Sequence, residues 1–231
     1  MFSYFITAIA DHCDTEFPNQ RTVGQFFVNA AKHWDWLFVH EMKHQLVSRR
    51  FRMLKAFSLL IKTEIYEQDI FSYMRFPPYK YIWEEFLNRF NDVSSAIRTF
   101  CIETAAYIII NKKCYDMIEI AKTQLSRKLR DFDWAVRYES ADNISKIGSY
   151  ENSIKIDKIL SIDLMKCLAM RIYDRNSKVR KAVLQRLATI FRCANMKFGS
   201  KTTFHFKITD FFIKEYTAVN RKPEERYLNR F

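Results

Sequence analysis

Residues 86–98 read FLNRFNDVSSAIR, residues 125–137 read LSRKLRDFDWAVR, and residues 168–180 read LAMRIYDRNSKVR. Superposed, the three stretches share an Asp (Asp92, Asp131, Asp174) six places before an Arg (Arg98, Arg137, Arg180), with Ile or Val just ahead of the Arg. Apolar residues stand six and two places before each Asp: Phe86 and Phe90, Leu125 and Leu129, Leu168 and Ile172. Four places before each Arg come Ser94, Asp133 and Asn176, residue types whose side-chain oxygen caps a helix N-terminus. The spacing predicts one helix ending, a short turn and a second helix beginning, three times over.

Looser copies flank these three. Phe51-Arg52 follows Ser48 at the capping place, with Leu46 where Asp would stand. Arg226 has Asn220 six places before it, and Pro223, Glu224 and Glu225 suit a first helical turn. The arginines at 52, 98, 137, 180 and 226 lie 46, 39, 43 and 46 residues apart. Paired-helix repeats of HEAT and armadillo type have periods of ~40–47 residues, so the expected fold is all-α, an α-solenoid of about four to five HEAT-like helical hairpin repeats. Its expected divisions are an N-terminal segment over 1–25, hairpins over 26–75, 79–112, 114–149 and 156–195, and a partial hairpin over 204–231.

A hairpin in such an array buries apolar surface against both neighbours. Ile97, Cys101, Ile102 and Ala105 are spaced to do so on one second helix, and Val179, Val183, Leu184 and Leu187 on another. Trp83, Phe86 and Phe90 share one helical stripe, while Phe204, Phe211 and Phe212 would feed the last repeat. The turn residues Asp92, Arg98, Asp131, Arg137, Asp174 and Arg180 form a structural ladder in which each Asp and Arg can pair within a repeat or with the next one along. Phe76-Pro77-Pro78-Tyr79, residues 148–157 and residues 197–203 read as connections between helices.

Composition agrees. The chain has 231 residues and only three glycines, Gly24, Gly148 and Gly199, all isolated. Phosphate-cradling loops, dinucleotide fingerprints and nucleophile elbows need glycine where backbone turns sharply or approaches a ligand, so these classes are excluded. Residues 79–147 hold neither glycine nor proline, against the frequent turns of a sandwich or barrel. Five cysteines, Cys13, Cys101, Cys114, Cys167 and Cys193, are widely spaced and form no C-x-x-C pair, which suits a reducing compartment. The opening MFSYFITAIADHCD has no basic region ahead of its apolar run, so neither signal peptide nor membrane span is expected. The net charge of +12 is graded: residues 1–20 carry −3, and residues 178–231 carry +9 from thirteen bases and four acids. Such an end attracts nucleic acid or acidic peptide. Arg127, Lys128, Lys178 and Lys181 are the candidate partner- or DNA-facing bases.

His40-Glu41-Met42-Lys43-His44 matches H-E-x-x-H, in which two histidines one turn apart share a zinc and the Glu acts as general base. Glu64 is the candidate third ligand. Against a zinc metallohydrolase, no glycine turn or third histidine follows His44, and Val39, Met42, Leu46 and Val47 form the apolar stripe of a repeat helix with the histidines at its flank. His12, His33 and His205 show no nucleophile and base spacing. No catalytic residue and no cofactor is expected.

The run Trp83-Glu84-Glu85-Phe86-Leu87-Asn88-Arg89-Phe90-Asn91-Asp92, followed by Ile97-Arg98 and Cys101, resembles the precocious-dissociation-of-sisters family of cohesin-associated HEAT proteins. The later turns, Asp131 with Val136-Arg137 and Asp174 with Val179-Arg180-Lys181-Ala182, are similar to that family too, and the likeness extends loosely over residues 37–231. The resemblance implies a non-catalytic nuclear, chromatin-associated regulator of sister chromatid cohesion. It implies as partners the kleisin subunit of the cohesin complex and the wings-apart-like factor; the basic end of the chain adds non-specific DNA contact, and neither a membrane nor a small-molecule substrate is expected. A partial or truncated member is expected. A generic HEAT adaptor in transport or signalling is the alternative that the fold leaves open.

Overall fold

The computed structural model describes residues 35–62, 79–111, 115–149 and 162–198. The segment 1–25, Glu64, the Pro77-Pro78 break, residues 199–203, the partial hairpin 204–231, Cys13, Cys114, His12, His33 and His205 lie outside the described residues. Among those described are eight α-helices: α1 (Asp35–Met42), α2 (Val47–Lys62), α3 (Tyr79–Arg89), α4 (Ser95–Asn111), α5 (Tyr115–Lys128), α6 (Trp134–Ser149), α7 (Ile162–Ala169) and α8 (Ser177–Phe198). A short 3-10 turn, Met170–Tyr173, continues α7. The chain is an α-solenoid of HEAT-like helical hairpins, in two compact units of residues 1–144 and 145–231.

In the first unit the chain runs α1–α2, α3–α4, α5–α6. First helix meets first helix and second meets second: α1 packs on α3 and α2 packs on α4, with α4 also against α3 and α5. Helix α4 is surrounded, and its sequence shows why. Ile97, Cys101, Ile102, Ala105, Ala106, Ile108 and Ile109 are all buried, so apolar residues occupy more than one side of it. Between α2 and α3 lies an aromatic layer in which Phe57 meets Phe86 at 5.0 Å between ring centroids and Trp83 meets Phe86 at 5.4 Å. Phe86 meets Phe90 edge-on at 5.4 Å. Each fully buried aromatic of this kind contributes about 1.5–3 kcal/mol of transfer free energy.

Helix α1 ends at Met42, earlier than the apolar stripe through Leu46 and Val47 requires. Those two residues are therefore exposed, and the buried face of α1 is Leu37, Phe38, Glu41 and Met42. In the second unit Leu164, Met165 and Leu168 of α7 and Val179, Ala182, Val183, Leu187 and Ile190 of α8 are buried. Leu184, expected in that core, is 58% exposed, because it falls a quarter-turn from Val183 on the solvent side of α8. No helix among the described residues is long and apolar enough to cross a membrane.

Candidate functional site

Each turn is organised by its Asp. The Asp92 carboxylate accepts the backbone N–H of Ser94 at 2.9 Å, Asp131 that of Asp133 at 3.0 Å, and Asp174 that of Asn176 at 2.9 Å. These local bonds close the turn and aim the next helix. The capping residues then hold the first turn of that helix. Their carbonyls accept Arg98 N–H, Arg137 N–H and Arg180 N–H, and the side-chain oxygens of Asp133 and Asn176 accept the N–H of Ala135 and Lys178.

The arginines join one turn to the next. Arg98 donates Nη1 to the carbonyls of Asp92 (2.7 Å) and Val93 (3.1 Å) in its own turn. Its Nε and Nη2 form a two-pronged bond to Asp131 of the following repeat, at 3.0 and 2.9 Å. The Arg98 guanidinium also sits over the Phe132 ring, its Cζ 4.3 Å from the centroid. Arg137 and Arg180 staple their own turns in the same way, through the carbonyls of Asp131 and Phe132 and of Asp174 and Arg175. A planar fork of fixed donors fits this task, and a lysine could not meet both turns at once.

In the first repeat the ladder arginine is Arg50, and the assignment to Arg52 is off by two places. Arg50 donates Nη1 to the carbonyls of His44 (2.8 Å) and Gln45 (2.7 Å), and Nε and Nη2 to Asp92, both at 2.8 Å. Six places before Arg50 stands His44, not an Asp, and this hid the register. His44 imitates the Asp: the Leu46 N–H donates to its Nδ1 at 3.0 Å.

This imitation puts the H-E-x-x-H pattern to a different use. The Arg49 Nη1 lies 2.9 Å from the other ring nitrogen of His44, Nε2. Arg49 is held by Glu41, a buried carboxylate that it grips with Nε at 2.7 Å and with Nη2. Glu41 is therefore neutralised, and one histidine nitrogen is committed to the backbone; His40 stands exposed. Glu64 lies outside the described residues, and no group of three metal-ligating side chains occurs among those described.

A base three places before each Asp, Arg89, Lys128 and Arg171, escaped the sequence comparison although it stands in all three stretches. Arg89 reaches Asp92 at 3.0 Å and Glu85 at 2.7 Å, Lys128 reaches Asp131 at 3.3 Å, and Arg171 lies 3.9 Å from Asp174. Lys128 also donates to the Asn91 side chain at 3.1 Å. Lys128, expected to face a partner, is instead buried, with its Nζ committed to Asp131 and Asn91. Arg127, Lys178 and Lys181 are exposed.

Burial by itself raises the pKa of Asp92 and of Asp131. The hydrogen bonds from Arg50 and Ser94 to one, and from Asp133 and Arg98 to the other, outweigh it, so both lie below the usual carboxylate value. Burial pushes the Cys101 thiol well up, keeping it protonated and inert. The arrangement joins helices by matched charges, and its buried groups are committed to one another.

A model of the family described as "Sister chromatid cohesion protein PDS5" matches residues 41–211, which span all three Asp to Arg turns. The chain belongs to this PDS5 family. It is 27% identical over 158 residues to sister chromatid cohesion protein pds5 of Schizosaccharomyces pombe, covering 68% of this chain and 12% of that protein. Against the PDS5 homolog A of Danio rerio it is 24% identical over 123 residues, 52% of this chain and 9% of the relative. Against the PDS5 homolog of Dictyostelium discoideum it is 29% identical over 118 residues, 51% of this chain and 8% of the relative. The chain therefore spans about a tenth of the length of the PDS5 relatives it matches.

Proposed function

We propose that this chain is a non-catalytic scaffold acting in sister chromatid cohesion, and that it binds cohesin subunits through the surface of its helical hairpins. The carrying observation is the PDS5 family match over 41–211, a span that holds all three Asp to Arg turns. The kleisin subunit and the wings-apart-like factor are the proposed partners, chromatin in the nucleus is the proposed site of action, and Arg127, Lys178 and Lys181 are proposed contacts for acidic segments. Affinity spread over many repeat contacts suits a solenoid. The test is retention of purified cohesin subunits, offered one at a time, on the immobilised chain. Retention of the kleisin subunit that weakens for the joint charge reversal of Arg127, Lys178 and Lys181 is expected; a folded chain that retains none of the subunits overturns the proposal.

A second reading, direct DNA contact, is favoured by α8. Between Ser177 and Phe198 it carries Lys178, Arg180, Lys181, Arg186, Arg192 and Lys197 and no acidic residue. Titration of a labelled duplex at two salt concentrations should show affinity without sequence preference that falls steeply with salt. Absence of binding at the lower salt removes this reading.

A further inference from the structure

Arg180 repeats only half of the ladder's grip. Its Nη1 donates to the carbonyls of Asp174 and Arg175 at 2.8 and 3.0 Å, as Arg98 Nη1 does to Asp92 and Val93 and Arg50 Nη1 to His44 and Gln45. Arg50 and Arg98 then place Nε and Nη2 on the Asp of the following turn. Among the described residues, no hydrogen bond or ion pair reaches Nε or Nη2 of Arg180. A guanidinium is planar, so fixing Nη1 on two carbonyls also fixes where its other edge points. That edge carries two parallel N–H donors, the pattern that a carboxylate meets with both oxygens.

The two complete rungs show how far along the chain the carboxylate comes. Arg50 takes Asp92 after 42 residues, and Arg98 takes Asp131 after 33. The same interval from Arg180 covers residues 213–222, IKEYTAVNRK, which lie outside the described residues and hold a single acid, Glu215. Its surroundings follow the ladder. Arg221 stands six places after Glu215, Thr217 holds the capping place four before that Arg, and Ile213 stands two before Glu215. With Arg221 as the fifth member, the ladder arginines at 50, 98, 137, 180 and 221 lie 48, 39, 43 and 41 residues apart. The copy departs at Thr209, Phe212 and Asn220, where the other turns carry an apolar residue, a base, and Ile or Val, so pattern alone does not single it out.

Rival occupants fit less well. Asn220, six places before Arg226, offers one amide oxygen to an edge that has two donors, and its own N–H groups would face a cation. A second copy stacked head to tail on this end would present its first turn, where His44 stands in the Asp place and Glu41 is already held by Arg49. We infer that Arg180 is the receptor for the Glu215 carboxylate, and that this pair docks residues 204–221 onto the turn before α8 as a further rung of the ladder. The pairing withdraws Arg180 from the bases of α8 open to DNA or to an acidic partner. It does not depend on which cohesin subunit the scaffold serves.

The test is amide hydrogen exchange over residues 204–221 of the full chain, with binding of a labelled DNA duplex measured alongside. Glu215→Gln, which keeps the side chain's size, should speed exchange there roughly three- to tenfold, as suits a partly buried charged pair. Arg180→Gln should do the same, and the double variant should exchange no faster than the faster single one, because both substitutions remove one and the same bond. Glu215→Asp should retain protection, and Glu224→Gln, outside the pattern, should leave it unchanged. Exchange indifferent to Glu215→Gln, or single effects that add in the double variant, overturns the proposal. It is equally overturned if Asn220→Asp slows exchange only while Arg180 is present, which marks Asn220 as the partner, or if Arg180→Gln weakens duplex binding with exchange unchanged.

Discussion

Arg98 places four N–H donors on oxygens from two different turns, and almost none of its surface reaches water. Removing it leaves the Asp131 carboxylate buried with a reduced set of partners, so Arg98→Ala is expected to cost about 3–5 kcal/mol at neutral pH, as measured by urea unfolding. The penalty has a pH signature. Asp92 and Asp131 have folded pKa values below the usual carboxylate range, so the unfolded chain binds more protons in that window and stability rises with pH there. The ladder's contribution is fully present above the ordinary Asp value of about 3.9 and is lost as pH falls through the lower folded values. The cost of Arg98→Ala should accordingly shrink in melts run at pH below that range; a cost that stays constant with pH would mean that packing around the Phe132 ring, not the ion pair, is what Arg98 supplies. The Asp to Arg spacing that locates these residues is plain in the sequence. The bases at 89, 128 and 171 are equally regular, but surface helices carry so many Lys and Arg that only burial of Lys128 shows that a base belongs to the ladder.

Helices α4, α6 and α8 begin from the same turn chemistry, with local differences that predict unequal sensitivity. Asp133 caps α6 with both its carbonyl and its side chain, so Asp133→Ala should lower stability by about 1 kcal/mol in thermal or urea melts. At α2 the capping place is held by Leu46, whose side chain cannot accept a bond, and the turn relies on His44 Nδ1 instead. His44→Asn retains a short acceptor and should unfold close to the parent, whereas His44→Ala should lose about 1 kcal/mol; equal melts for the two would show that the Leu46 N–H bond contributes nothing. Helix α1 illustrates what local pattern conceals. Its sequence repeats apolar residues through Val47, yet the helix stops at Met42, because the turn that must hold Arg50 begins at Lys43. Glu41 was legible only as a motif member, and its burial against Arg49 depends on how α1 lies against α2.

At the scale of the molecule, a repeat protein is stabilised by its hairpins and by the contacts between neighbours, so damage spreads in a graded way along the array. Hydrogen exchange of Arg98→Ala should show the greatest loss of protection in Ser95–Asn111 and Tyr115–Lys128, the helices joined by the Arg98 to Asp131 bond, and little in Ile162–Phe198. Uniform loss along the chain would instead indicate one all-or-none unit. The sequence by itself determined the helical class, the register of three turns and the PDS5 likeness, because a turn that must close on an Asp and start from a capping residue demands particular side chains at particular spacings. Which Asp each Arg takes was decided only in the folded chain. Within its own turn an Arg is bound to carbonyls, while its remaining donors face the next repeat, so Arg50 meets Asp92 and Arg98 meets Asp131 across gaps of 42 and 33 residues. No spacing within one hairpin can express that choice, since it follows from how the hairpins stack.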